Sequence, residues 1–65
     1  MTLIIVFKDQ EKYTFYGLKE YGIEYGKYLK FTYVGKNRDY DYKNKVIVHE
    51  GCFILDAIAG YYIHR

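Results

Sequence analysis

From Glu20 to Val34 the chain reads EYGIEYGKYLKFTYV, and its side chains alternate in character on both sides of a Gly-Lys pair. A period of two belongs to the pleated strand, whereas a helix would space its apolar residues three and four apart. The alternation sets Tyr21, Ile23 and Tyr25 on one face, with Glu20, Gly22 and Glu24 towards solvent. After the turn it sets Leu29, Phe31 and Tyr33 on one face and Tyr28, Lys30 and Thr32 on the other. Gly26-Lys27 falls where a tight hairpin turn needs a residue tolerant of positive φ. The chain is thereby committed to antiparallel sheet, and each strand must bury one face while wetting the other.

The remaining segments extend the same pattern. Leu3 to Phe7 is a continuous apolar, β-branched run, which predicts a central strand buried on both faces. Lys8 to Glu11 is a polar turn, and Lys12 to Tyr16 returns as the hairpin partner. Gly35-Lys36-Asn37 marks another turn. Tyr40 to His49 then reads as one long strand, with Tyr40, Tyr42, Val46 and Val48 on one face, broken by Glu50-Gly51. Residues 52–55 read as strand, 56–59 as one helical or 3₁₀ turn and 60–64 as a closing strand. The Tyr-Gly pairs at 16–17, 21–22 and 25–26 mark turns. The expected fold is mainly β: a small antiparallel meander or partly closed barrel of five to six strands, in a single domain over residues 1–65.

Size sets the next limit. A 65-residue chain hides only about 60% of the surface it exposes when unfolded, so its core is thin. A deep cofactor cleft, a barrel of eight β/α units and a dinucleotide-binding fold are all too large for it. One cysteine, Cys52, makes no intramolecular disulfide, which points to a reducing compartment. The opening MTLIIVF has no basic stretch before its short apolar run, so a cytoplasmic protein of a host cell, away from membranes, is the expectation. The sequence contains no proline to guard a sheet edge, and association with a partner, or with a second copy as a homodimer, is expected.

Ten Lys and Arg against eight Asp and Glu leave a net charge of +2, below the dense positive charge of a dedicated nucleic-acid binder. The largest basic cluster, Lys36, Arg38, Lys43 and Lys45, is interrupted by Asp39 and Asp41. Such a cluster reads as a solvated loop and strand face, or as a phosphate contact.

Reactive side chains are few. His49 and Cys52 have the spacing of half a zinc site, but a structural zinc takes four ligands and there is a single cysteine, so neither metal nor cofactor is expected. A Cys52, His49, Asp56 nucleophile would need a pocket to activate the thiol, and Cys52 reads instead as a small buried apolar residue. Glu50 and His64 could complete the His49/Cys52 metal site only by coincidence of the fold. The pairs Asp39/Asp41 and Glu20/Glu24 share solvent faces and stay ionised. The six glycines are scattered one per turn, not gathered into a phosphate loop. A non-enzymatic protein is the expectation.

Ten tyrosines are more than a small core calls for, because each buried hydroxyl needs a partner. Large rings clad a marginal sheet; exposed, they also supply rigid contact area at binding hot spots. Tyr28, Tyr33, Tyr40, Tyr42, Tyr61 and Tyr62 are the candidate protein-binding residues. Rings interleaved with cations also hold single-stranded nucleic acid on small barrels, and Lys30, Lys36, Arg38, Lys43 and Lys45 would supply charge steering or that platform.

The segments VFKDQEKYTF, EYGIEYGKYLKFTY and LDAIAGYYI occur here in that order. In this the chain resembles small uncharacterised early proteins of bacteriophages and mobile elements of Gram-positive bacteria, departing from them in VIVHEGCFILDAIA. The resemblance implies no catalytic residue. It implies a stoichiometric inhibitor of a host or anti-phage defence protein, anti-CRISPR-type factors included.

Overall fold

A computed structural model describes all residues, 1–65. The fold is mainly β: six strands, β1 (Thr2–Phe7), β2 (Lys12–Tyr16), β3 (Leu18–Glu24), β4 (Tyr28–Tyr33), β5 (His49–Ile54) and β6 (Ile58–His64), with a 3₁₀ turn at Leu55–Ala57. Every pairing is antiparallel, in two three-stranded sheets ordered β2-β1-β6 and β3-β4-β5. β5 and β6 are consecutive yet lie in different sheets without pairing, so the sheets do not close into a barrel.

Gly17 joins the two sheets. It takes φ +66°, a conformation costly to any residue with a Cβ, and a Cβ there would also overlap the Val34 side chain. The ladder runs through this kink: Leu18 N–H donates to the Met1 carbonyl at 2.8 Å, Val34 N–H to the Gly17 carbonyl at 3.0 Å and Gly35 N–H to the Tyr16 carbonyl at 2.9 Å. β2 and β3 are thus two halves of one bent strand lying between β1 and β4. The Tyr16-Gly17 pair marks a bend, not a reversal.

The reversals are local. Between β1 and β2, Gln10 takes φ 73° and its N–H donates to the Phe7 carbonyl at 2.9 Å. Between β3 and β4, Tyr25 and Gly26 both have positive φ, and Lys27 N–H donates to the Glu24 carbonyl at 3.0 Å. The turn therefore sits on Tyr25-Gly26, one residue before the predicted Gly26-Lys27: within the three-residue connection 25–27, these are the two positive-φ positions that the Lys27-to-Glu24 hydrogen bond encloses.

The core lies between the sheets. Leu3 and Ile5 of β1 meet Leu18, Leu29, Phe31 and Ile58, with Phe7, Phe15, Tyr33 and Phe53 packed around them. The phenylalanines form one edge-on and stacked cluster, Phe15 to Phe31 at 4.7 Å, Phe7 to Phe53 at 5.4 Å and Phe31 to Phe53 at 6.0 Å between ring centroids. Only seven residues are buried, as the thin core of a short chain requires. β1 is central in its sheet as predicted, but it is not buried on both faces: Leu3 and Ile5 are sealed while Thr2, Ile4 and Val6 are half-buried, because nothing covers the outer face.

The predicted strand over 40–49 is corrected more deeply. Tyr40 and Val46 form only an isolated bridge, and β5 begins at His49. Glu50-Gly51, predicted to break the strand, lies inside β5, where Gly51 faces Phe31 across the ladder. The helical turn falls at Leu55–Ala57, not 56–59, and the closing strand starts at Ile58. Its position is set from outside, since Leu55 N–H donates to the Lys27 carbonyl at 2.9 Å.

Candidate functional site

The segment between β4 and β5 is built around Asp41. Its Oδ1 accepts from the N–H of Lys43 at 2.8 Å and of Lys45 at 3.0 Å. Asp41 N–H donates to the Lys45 carbonyl at 2.9 Å, and Asn44, at φ 60°, donates its N–H to the Asp41 carbonyl at 3.0 Å. A carboxylate that gathers local amides in this way competes with the ladder and closes a turn. The result is a small projecting loop closed by the Tyr40–Val46 bridge, with Ile47 N–H donating to the Asp39 carbonyl at 2.8 Å.

The tip presents Tyr42, 91% exposed, with Tyr40 at 57%. Lys43 Nζ lies 5.5 Å from the Tyr42 ring centroid, in reach of a cation–π contact. Lys36, at the loop's start, stands 5.8 Å over the Tyr16 ring. Residues 36–45 hold four of the ten cations and two of the eight anions, 4 − 2 = +2. The rest of the chain holds six of each, so the whole net charge resides on this loop.

The outer face of the β3-β4-β5 sheet has the opposite character. An open hollow of about 590 Å³ is lined by Glu20, Glu24 and Glu50 around Lys30, Gly22 and Cys52. Lys30 Nζ lies 3.1 Å from Glu24 Oε2. The Glu24 carboxylate, first through that hydrogen bond and then through its charge, holds the Lys30 ammonium above the usual lysine range.

The six candidate tyrosines do not share one sheet face. Tyr33 packs on the core beside Phe15 and against the His49 ring, 5.3 Å away. Tyr28 is half-buried on the outer face of its sheet, under Lys27 at 5.6 Å. Tyr40 and Tyr42 stand on the loop. Tyr61 and Tyr62 are successive in β6 and so point to opposite faces, Tyr61 opposite Ile5 and Tyr62 opposite Ile4. Lys36, Arg38, Lys43 and Lys45 all lie in the segment between β4 and β5, while Lys30 lies in the acidic hollow. Eight of the ten tyrosines are exposed, which makes the surface tyrosine-rich; Tyr13, Tyr16, Tyr21 and Tyr25 are exposed positions outside the candidate set.

Cys52 is exposed, not buried, because it falls on the outer face of β5 opposite Lys30. His49, three positions away, is on the other face, so the HxxC spacing separates the two groups. His49 Nε2 lies 3.9 Å from Asp39 Oδ2 instead. No three His, Cys, Asp or Glu side chains converge in a group able to hold a metal. No helix is long and apolar enough to cross a membrane.

Fold and surface together define a small two-sheet β domain that presents a basic-aromatic loop hydrogen-bonded around Asp41. No protein-family model matches the chain, and neither a curated protein nor a solved structure shows detectable similarity to it.

Proposed function

We propose that this chain is a non-enzymatic binding protein that acts by occupying a site on a larger protein or nucleoprotein, with Tyr40 and Tyr42 as its anchors. The observation that supports this reading is the Asp41-organised loop, which holds an almost fully exposed ring and all the net positive charge on a fixed turn. A turn whose backbone is already hydrogen-bonded gives up little backbone entropy on docking, and cations beside the exposed rings favour an acidic target surface. Together with the resemblance to early phage proteins, the reading is an anti-defence or host-directed inhibitor working in the host cytoplasm, of the anti-CRISPR type. The test is capture from host lysate on immobilised protein: one stoichiometric partner retained by wild type and lost on the double change Tyr40→Ala, Tyr42→Ala. No partner, or one retained by the double variant, counts against it.

The same loop favours a second reading, a binder of single-stranded nucleic acid, because four cations flank two exposed rings. That reading requires oligonucleotide affinity that falls steeply with added salt and drops on Lys45→Ala. Absence of oligonucleotide binding at low salt removes it.

A further inference from the structure

Four strand edges lack a neighbour, those of β2, β3, β5 and β6. Lys12 lies in β2, Lys19, Glu20 and Glu24 in β3, and Glu50 in β5, the charges that keep sheet edges from pairing. β6, IAGYYIH, carries no Lys, Arg, Asp or Glu and no proline along its seven residues. It is the unguarded edge of the molecule.

Hydrogen-bond parity shows what β6 offers. Phe7 of β1 turns its N–H and carbonyl to the β2 side, bonding Glu11 and Gln10, and the Met1 carbonyl bonds Leu18 on that same side. Backbone groups alternate sides along a strand, so Thr2, Ile4 and Val6 turn theirs towards β6. Their partners His64, Tyr62 and Gly60 bond inwards, which leaves the N–H and carbonyl of Tyr61 and Ile63 directed at the open edge.

We propose that two copies of this chain pair through β6, antiparallel about a two-fold axis at Tyr61, merging their β2-β1-β6 sheets into one continuous six-stranded sheet. Closed symmetry requires that one patch complement itself, and this one does. Tyr61 meets the second copy's Tyr61 as a doubly hydrogen-bonded pair. Tyr62 faces the second copy's Gly60, where a side chain on glycine would meet nothing within 4 Å, so the ring has open space to cover. Beyond the strand end, the same register directs Arg65 towards the second copy's 3₁₀ turn, which carries Asp56, so that opposite charges approach at both ends. Moving the axis to Tyr62 would leave Gly60 opposite His64 and part Arg65 from Asp56. The interface is built on the sheet that does not carry the Asp41 loop, so it is independent of the loop's reading and would give the dimer two copies of that loop.

Sedimentation of the full chain over a dilution series tests the proposal. Wild type is expected to reach the mass of two chains at high concentration. Tyr61→Lys, which sets two like charges face to face across the axis, is expected to remain a single chain with an unchanged circular dichroism spectrum. Independently of that variant's folding, Tyr61→Cys in a Cys52→Ser background is expected to form a disulfide-linked dimer on mild oxidation, since opposed residues of such a pair stand about 5.5 Å apart at Cα, within disulfide range. A wild type that stays a single chain at every concentration overturns the proposal, leaving the edge to an extended segment of another protein. A dimer that survives Tyr61→Lys while the Tyr61→Cys variant stays unlinked overturns it equally.

Discussion

The outer end of the Phe31 ring sits over Gly51, its register partner across β4 and β5, so closely that a methyl group on Gly51 would overlap three ring atoms. Glycine is there to admit an aromatic ring to the core, not to turn the chain. Gly51→Ala should therefore destabilise the protein by about 1–3 kcal/mol, the usual cost of overpacking. Gly22→Ala is the matched control: its Cβ would meet nothing within 4 Å, and the change should stabilise by about 0.4–1 kcal/mol through the unfolded state. Urea unfolding of both variants gives the two signs.

Tyr25 holds φ 56° at the first position of the β3–β4 turn and is 90% exposed, so the ring has little packing to offset a left-handed backbone. Asn at that position, before Gly26, tolerates this conformation far better. Tyr25→Asn is expected to raise stability by about 0.5–1 kcal/mol, within the cost of left-handed backbone for a residue with a Cβ. A lower thermal midpoint would show that the ring contributes more than its exposure indicates.

The parts of the fold legible in the sequence are those where neighbours along the chain decide the structure. The β1–β2 hairpin, the inward set Leu29, Phe31 and Tyr33, and a short helical turn before a closing strand all follow from alternation and turn residues. Residues 40–48 do not, because their alternation is real but Asp41 diverts the amides of Lys43 and Lys45 from any ladder. The signal is present as Asp-Tyr-Lys-Asn, an Asp with an Asn three residues on. Gly51 and Gly17 are illegible for a different reason. One makes room for Phe31 and the other bends a strand beside Val34, and both partners are distant in sequence. The tyrosines are legible as an exposed class but not as a set, since which ones converge depends on the sheet to which each strand belongs.

Removing the Asp41 carboxylate should loosen the loop without unfolding the domain. Asp41→Ala is expected to change global stability by no more than about 1 kcal/mol, each lost bond in water counting for little. The amide protons of Lys43 and Lys45 should exchange faster, and partner capture should weaken about tenfold, equivalent to about 1.4 kcal/mol. Asp41→Asn keeps the oxygen acceptor and should retain most of the order. Hydrogen-exchange NMR on the two variants tests this, and unchanged protection in the alanine variant would count against Asp41 as organiser.

Lys30 should lose its proton above the ordinary lysine value as pH rises, because Glu24 stabilises the ammonium. For a base whose folded pKa lies above its unfolded value, the added stability is fully present below the unfolded pKa and disappears as pH climbs through the folded one. The raised Lys30 value therefore contributes no pH dependence near neutrality and a decline in the alkaline range. NMR titration of the Lys30 side chain should show the raised midpoint, and Glu24→Gln should lower it towards the ordinary lysine value.

The Tyr40–Val46 excursion interrupts no ladder: β4 pairs with β5 from Tyr33 and His49 onward whatever lies between. Lengthening such a connection costs only about 0.6 kcal/mol per doubling. Scaffold and fingertip are thus separable, and a descendant of this chain can acquire a new target by rewriting one excursion while keeping every buried side chain in place.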